Sequence, residues 1–181
     1  MRNIFFAIAT ISILAFSGCM KNKAINKVTG PNLIANSSFE YNGQISFTDW
    51  TGSDTSVYRF VNDVPVGGGY WSLQLSPCWM PCEGYAETSV TGLTGTHNYV
   101  FNCYTKAYSW IGKITISKQT TTGITNLQTI SFSNQAWGLQ NINLYNITLS
   151  STDKLIVHLS AGSTEVSNGR VLFDKVVLQQ Q

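Results

Sequence analysis

Residues 84–107 read GYAETSVTGLTGTHNYVFNCYTKA. Two runs of alternating residues flank Gly92-Leu93-Thr94-Gly95-Thr96, and this pattern predicts an antiparallel hairpin. Side chains along a strand point to opposite faces in turn, so the two parities separate. One parity holds Ala86, Thr88 and Val90 with Tyr99, Phe101 and Cys103, small or apolar as a core requires. The other holds Tyr85, Glu87 and Ser89 with Asn102, Tyr104 and Lys106. That second face mixes polar groups with rings, which suits holding a polar ligand against a ring. The stretch therefore predicts a sandwich core and, on its other side, a candidate binding surface.

The same alternation extends outward in both directions. Trp71 shares parity with Leu73 and Leu75, and Ile114 and Ile116 alternate with Lys113, Thr115 and Ser117. Ile142, Leu144 and Ile147 form a run interrupted near Tyr145, and Leu155, Val157 and Leu159 alternate with Ile156, His158 and Ser160. Residues 120–123 and 160–163 are loops by composition. No internal repeat and no second domain boundary is evident in the 181 residues, enough for one domain with a sizeable core. Aromatic residues make up 12%, and no long amphipathic helical pattern occurs, so the composition is all-β. Charged residues are only 11% and the net charge is +2, which offers no field for nucleic acid or an acidic partner. The result is roughly eight to ten short antiparallel strands.

The N-terminus reads as a targeting segment. Arg2 supplies charge, residues 4–16 are an apolar run, and Ser17-Gly18-Cys19 follows. The run is shorter than the roughly 20 apolar residues of a membrane span. Small residues directly before a cysteine resemble the lipobox of bacterial lipoproteins, with Phe16 where that pattern usually has Leu. The resemblance implies that residues 1–18 are a signal peptide and that Cys19 is acylated. An ordinary secretory signal cut nearby is the alternative, and either way the mature protein is exported. Met20 stands where an inner-membrane lipoprotein commonly has Asp, so the resemblance favours the outer membrane. Residues 19–31 then form a polar, basic tether ending in Gly30-Pro31, and residues 32–181 form the domain.

Four landmarks in order carry a second resemblance. Asn32-Leu33-Ile34-Ala35-Asn36-Ser37-Ser38-Phe39-Glu40 is followed by Trp50, then by Trp71-Ser72-Leu73-Gln74-Leu75. Residues 92–107 and the closing Phe173-Asp174-Lys175-Val176-Val177-Leu178 complete the set. Together they resemble galactose-binding-like jelly rolls, including carbohydrate-binding modules of families 4, 9 and 22. The resemblance spans about residues 32–178 and implies a β-sandwich jelly roll. It further implies that Glu40 and Asp174, brought together where the chain ends meet, help bind a structural calcium ion. Calcium takes six to eight oxygens, so backbone carbonyls and water would complete the shell. Without metal, the two carboxylates would bond turn amides.

Cys78 and Cys82 bracket Trp79-Met80-Pro81. In an exported protein two such cysteines favour a disulfide, whose short loop would be shaped more than stabilised. Free thiols or a metal site are the alternatives, with too few companion His or Cys for zinc. The inward parity of Cys103 predicts a buried thiol, and a bridge to Cys78 or Cys82 is its alternative. Trp50, Trp71 and Trp137 are assigned to the core. Trp79, Tyr85, Glu87, Asn102, Tyr104, Lys106, Tyr108 and Trp110 form the predicted glycan platform, with Gln74 and His158 extending it. Rings stack on sugar faces while amide, carboxylate and amine groups bind hydroxyls. The plainer reading is that these aromatics cover one another on a solvated sheet.

Catalysis has little support in the sequence. Neither His97 nor His158 lies near a nucleophile motif, no carboxylates are paired as a local glycosidase motif, and Gly67-Gly68-Gly69 precedes a strand and not a helix. The expected function is non-catalytic glycan binding by a lipid-anchored envelope protein. The alternative is a structural or adhesive lipoprotein that binds another envelope protein and no sugar.

Overall fold

The structure is a computed structural model describing residues 30–77, 83–162 and 169–181. The proposed signal peptide, Cys19, Cys78, Trp79 and Cys82 lie outside the described residues. In chain order the strands are β1 (Glu40–Tyr41), β2 (Gln44–Ile45), β3 (Thr51–Gly52), β4 (Tyr58–Val61), β5 (Ser72–Leu75) and β6 (Tyr85–Val90). They continue with β7 (Gly95–Tyr108), β8 (Gly112–Thr120), β9 (Gly123–Phe132), β10 (Gly138–Leu149), β11 (Lys154–Ser160) and β12 (Arg170–Gln180). Sheet I has the order β3-β6-β11-β8-β9 and sheet II the order β10-β7-β12-β5-β4, all pairs antiparallel. The small β1–β2 ribbon stands apart.

The inward residues of both sheets merge into one apolar cluster. Leu73, Leu75, Phe101, Phe173 and Leu178 come from sheet II, and Ala86, Ile114, Ile116, Leu155, Val157 and Leu159 from sheet I. The inward parity read from the sequence is thus the observed one, and Cys103 is a buried free thiol within it. Burial pushes that thiol well above the usual thiol range, so it stays protonated.

The predicted hairpin over residues 84–107 is not formed. β6 pairs with β3 and β11, whereas β7 pairs with β10 and β12, so residues 91–94 carry the chain from one sheet to the other. The cause is that a short Gly-rich turn between two alternating runs serves a hairpin and a sheet-to-sheet corner equally well. Both arrangements bury the same parity. They differ in where the outward parity goes, and here it points to opposite sides of the molecule.

The interruption near Tyr145 is a β-bulge, with Asn146 at φ 54° between the paired Leu144 and Ile147. The chain ends meet beside β12. Asn32 accepts from the amide of Leu178 at 2.9 Å and donates to the carbonyl of Val176 at 3.1 Å, while Leu33 N donates to Leu178 O at 2.8 Å. Of the three tryptophans assigned to the core, Trp50 is buried. Trp71 is only half-buried and outside the central cluster, and Trp137 is half-buried on the outer face of sheet II.

Candidate functional site

On the outer face of sheet I, register places His158 of β11 between Glu87 of β6 and Thr115 of β8. His158 Nδ1 lies 3.0 Å from Glu87 Oε2, and Nε2 lies 3.4 Å from Glu83 Oε2. The imidazole is stacked on the Tyr85 ring, with centroids 5.1 Å apart and planes 16° from parallel. Each ring covers one face of the other, and of the two only His158 lines the cavity beside them. That cavity, of about 330 Å³, is lined by Glu83, Glu87, Lys113, Thr115, Thr129 and His158, with Ile124 and Ile156 as its apolar contribution. This falls at the lower end of small-ligand sites, which run from roughly 300 to 1,000 Å³. Carboxylates accept from ligand hydroxyls, the Lys113 ammonium donates, and threonine hydroxyls do either. Sequence parity found Tyr85, Glu87 and His158. It missed Glu83, Lys113 and Thr115, although the last two show the outward parity of their own strand.

The other predicted ligand residues that the structure describes do not join this surface. Asn102, Tyr104, Lys106 and Tyr108 lie on β7, on the opposite outer face. There Asp63 acts as a hub that the sequence did not mark. Its carboxylate accepts from Lys106 Nζ at 2.7 Å, Tyr108 OH at 2.5 Å and Trp137 Nε1 at 2.9 Å. Burial alone would push Asp63 up, but these bonds and the Lys106 charge hold it below the usual carboxylate value. Arg170 sits over the Tyr108 ring at 4.3 Å and Lys175 over the Tyr104 ring at 5.6 Å. Asn102 accepts from Asn141 at 2.7 Å. The polar groups of this face largely bond one another. Gln74, predicted to extend the platform, points to this side and is only 6% exposed. Trp110 belongs to neither face: it packs against the core at the end of the sandwich, and its indole donates to the carbonyl of Ala161.

Glu40 and Asp174 come together beneath residues 65–71. Glu40 Oε1 accepts from the amides of Tyr70 and Trp71, each at 2.5 Å. Asp174 is fully buried; its Oδ1 accepts from Lys175 N at 2.7 Å, while Oδ2 has no hydrogen-bond partner. Burial, with the nearby Glu40 charge adding to it, pushes Asp174 up to about 6. Two glycines permit the close approach. A Cβ at Gly68 would lie 2.7 Å from Asp174 Oδ2 and 2.9 Å from the Pro65 carbonyl, and one at Gly69 would collide with the Glu40 carboxylate. An orphan buried carboxylate oxygen beside a second carboxylate and a backbone carbonyl fits a hard, oxygen-seeking cation. Among the described residues no group of three or more His, Cys, Asp or Glu is placed to hold a metal ion, and the two carboxylates here have no His or Cys companion, so the donor chemistry does not suit zinc.

No family model matches the sequence and no curated relative does. Solved structures do match. A family 61 carbohydrate-binding module in complex with β-1,4-galactotriose is similar with a TM-score of 0.56 and 18% identity, over 83% of this chain and 99% of that one. A xylan-binding family 22 module from Paenibacillus barcinonensis is similar with a TM-score of 0.57 and 15% identity, over 83% and 95% of the two chains. A family 16 module gives a TM-score of 0.55 at 15% identity, over 81% and 99%. A bacteriophage tailspike enzyme is also similar, with a TM-score of 0.62 and 14% identity, over 83% of this chain but only 21% of that one. The chain therefore has the galactose-binding-like jelly-roll fold of carbohydrate-binding modules.

Proposed function

We propose that this domain binds an oligo- or polysaccharide without catalysis, on the outer face of sheet I. The observation that carries the reading is the open cavity lined by His158, Glu83, Glu87, Lys113 and Thr115, with Tyr85 stacked on the imidazole beside it. Stacked rings offer a flat apolar edge to a sugar ring, and the surrounding acceptors and donors match its hydroxyls. A concave, polar-lined opening of this kind favours a sugar over a protein partner, for which a broad apolar patch would be needed. The similar modules bound to galactotriose, or named for xylan, support the same ligand class.

The reading includes two further parts. Glu40 and Asp174 would hold a calcium ion, with backbone carbonyls such as that of Pro65 completing the shell. Bound there, the ion supplies positive charge to two carboxylates that otherwise repel. The protein's own contribution is to fix residues 65–71 against β1 through the Glu40 bonds to the Tyr70 and Trp71 amides, with Gly68 packed close to Asp174 of β12, on the side of the sandwich away from the sheet I face. The N-terminal signal and Cys19 would place the domain on a bacterial envelope membrane, the outer one favoured, through a short tether.

The test is binding of the protein to a broad glycan panel in calcium. A glycan retained by wild type should be lost by Tyr85→Ala and by His158→Ala, and kept by Tyr104→Ala, which alters the opposite face. A blank panel from a folded protein, or loss through Tyr104→Ala alone, would refute the assignment.

A further inference from the structure

A second cavity lies away from the sheet I site. About 500 Å³ in volume, it lies beside the β1–β2 ribbon and is lined by Asn36, Glu40, Tyr41, Ser46, Thr48 and Asp49. Every polar group in this lining is a carboxylate, an amide or a hydroxyl, and no cationic side chain contributes. Such a lining meets the hydroxyls of a neutral ligand and offers nothing to pair with a phosphate, sulfate or carboxylate.

A ring is presented as well. Tyr41 is 73% exposed, and Tyr70, 71% exposed, lies against the ribbon's turn, its ring 3.5 Å from where a Cβ on Gly43 would be. The turn itself puts Asn42 and Gly43 at φ 52° and 74°, the two-residue form that keeps a ribbon tight. Of these two exposed tyrosines, Tyr41 lines the cavity and Tyr70 packs on the turn.

The far wall is held rigidly. Asn36 Nδ2 donates to the carbonyls of Ser46 at 2.9 Å and Thr48 at 3.0 Å, and the Trp50 indole donates to Asn36 O at 3.1 Å. Four of the seven non-glycine residues at positive φ among the described residues are Asn36, Phe39, Asn42 and Asp49. For a bulky residue such as Phe39 this conformation is costly, and it persists only where surrounding structure dictates it. The Asp49 carboxylate makes no hydrogen bond among the described residues, although its backbone carbonyl is fixed by Thr88 Oγ1 at 2.7 Å.

From this geometry we infer a second saccharide site, for a neutral sugar, at the β1–β2 ribbon. Tyr41 supplies the stacking ring, and Asp49, Thr48 and Ser46 bond the hydroxyls. It goes beyond the sheet I proposal and stands without it. Thr48 and Asp49 precede β3, whose Thr51 pairs with Glu87 of the sheet I face. A single domain would then engage glycan at two points, and the second contact would form at the high local concentration set by the first.

The experiment is calorimetric titration of the full chain, in saturating calcium because Glu40 also belongs to the cation site. The probes are β-1,4-galactotriose, xylohexaose, galactose, glucose and xylose. At least one probe should bind with Tyr85 and His158 both replaced by alanine, at one equivalent per chain. Adding Tyr41→Ala or Asp49→Ala to that background should weaken it at least ten-fold, with the thermal midpoint unchanged. Thr48→Val serves where the tyrosine change disturbs the ribbon. If the sheet I proposal alone fails, wild type binds one equivalent, sensitive to Tyr41→Ala and indifferent to His158→Ala. If no probe binds once Tyr85 and His158 are gone, or if the remaining binding ignores Tyr41, Asp49 and Thr48, the second site does not exist.

Discussion

Replacing Asp174 with Asn should stabilise the metal-free protein at neutral pH. The folded carboxyl stands at about 6 against an ordinary 3.8, so the native state holds its proton more tightly than the unfolded chain. Stability contributed by this group is therefore greatest below pH 4, falls as pH rises from 4 to 6, and stays low above. The neutral-pH cost is about 3 kcal/mol, at 1.36 kcal/mol per pH unit. Asn keeps the acceptor for the Lys175 amide and removes the charge facing Glu40. In chelator at pH 7.5 the variant should melt roughly 5–10 °C above wild type. At pH 4 the two should melt together. In calcium the gap at pH 7.5 should close, because only wild type offers the second carboxylate; ligand at a hundred times Kd adds about 2.7 kcal/mol, and at a thousand times about 4.1 kcal/mol, enough to invert the order. Thermal melts by circular dichroism across this grid are sufficient. Equal melting temperatures in chelator at pH 7.5 would refute the argument that a charged Asp174 is a burden. Indifference of wild type to calcium would refute the cation assignment.

Three further outcomes follow from the packing. Gly69→Ala drives a methyl into the Glu40 carboxylate and should cost about 2–3 kcal/mol in urea unfolding. Asp63→Ala strips the shared acceptor from Lys106, Tyr108 and Trp137 and should destabilise by about 2–4 kcal/mol, with altered tryptophan emission. Because Asp63 is held below its ordinary value, its contribution is present at neutral pH and lost on acidification through the folded value. Acid sensitivity from this group should thus be absent in Asp63→Asn. Phe173→Ala, at a fully buried ring set edge-on to Phe132, should cost about 3–5 kcal/mol by the same urea assay.

Much of the fold could be read from parity, because burial between two sheets imposes the period of two wherever a strand has one wet face. Ala86, Phe101, Ile114 and Val157 all announce themselves this way. The partner of each strand does not, since residues 91–94 fit a hairpin or a corner alike. That ambiguity scattered the predicted platform: Tyr85 and Glu87 stayed together, while Tyr104, Lys106 and Tyr108 went to the far side. Asp63 was illegible because it lies in a connection with no period, and its three partners come from residues 106, 108 and 137. Trp137 looked like core because the resembling modules keep a packing aromatic at that place; its indole N–H instead donates to Asp63 on the outer face. The ribbon cavity had no sequence signature, since it depends on backbone conformations at Asn36, Phe39 and Asp49 that propensity does not mark.

The last strand, β12, lies in the middle of sheet II, between β7 and β5, and residues 32 and 33 lean on it. Asn32 reaches Leu178 across 146 positions of sequence. An emerging or threading chain thus holds both flanks of that sheet without the strand that joins them until its final dozen residues arrive. Folding is correspondingly all-or-nothing and slow, governed by distant pairings. Removing the C-terminal ten residues would not trim an edge; it would leave two half-sheets with exposed ladders, ready to pair with other molecules.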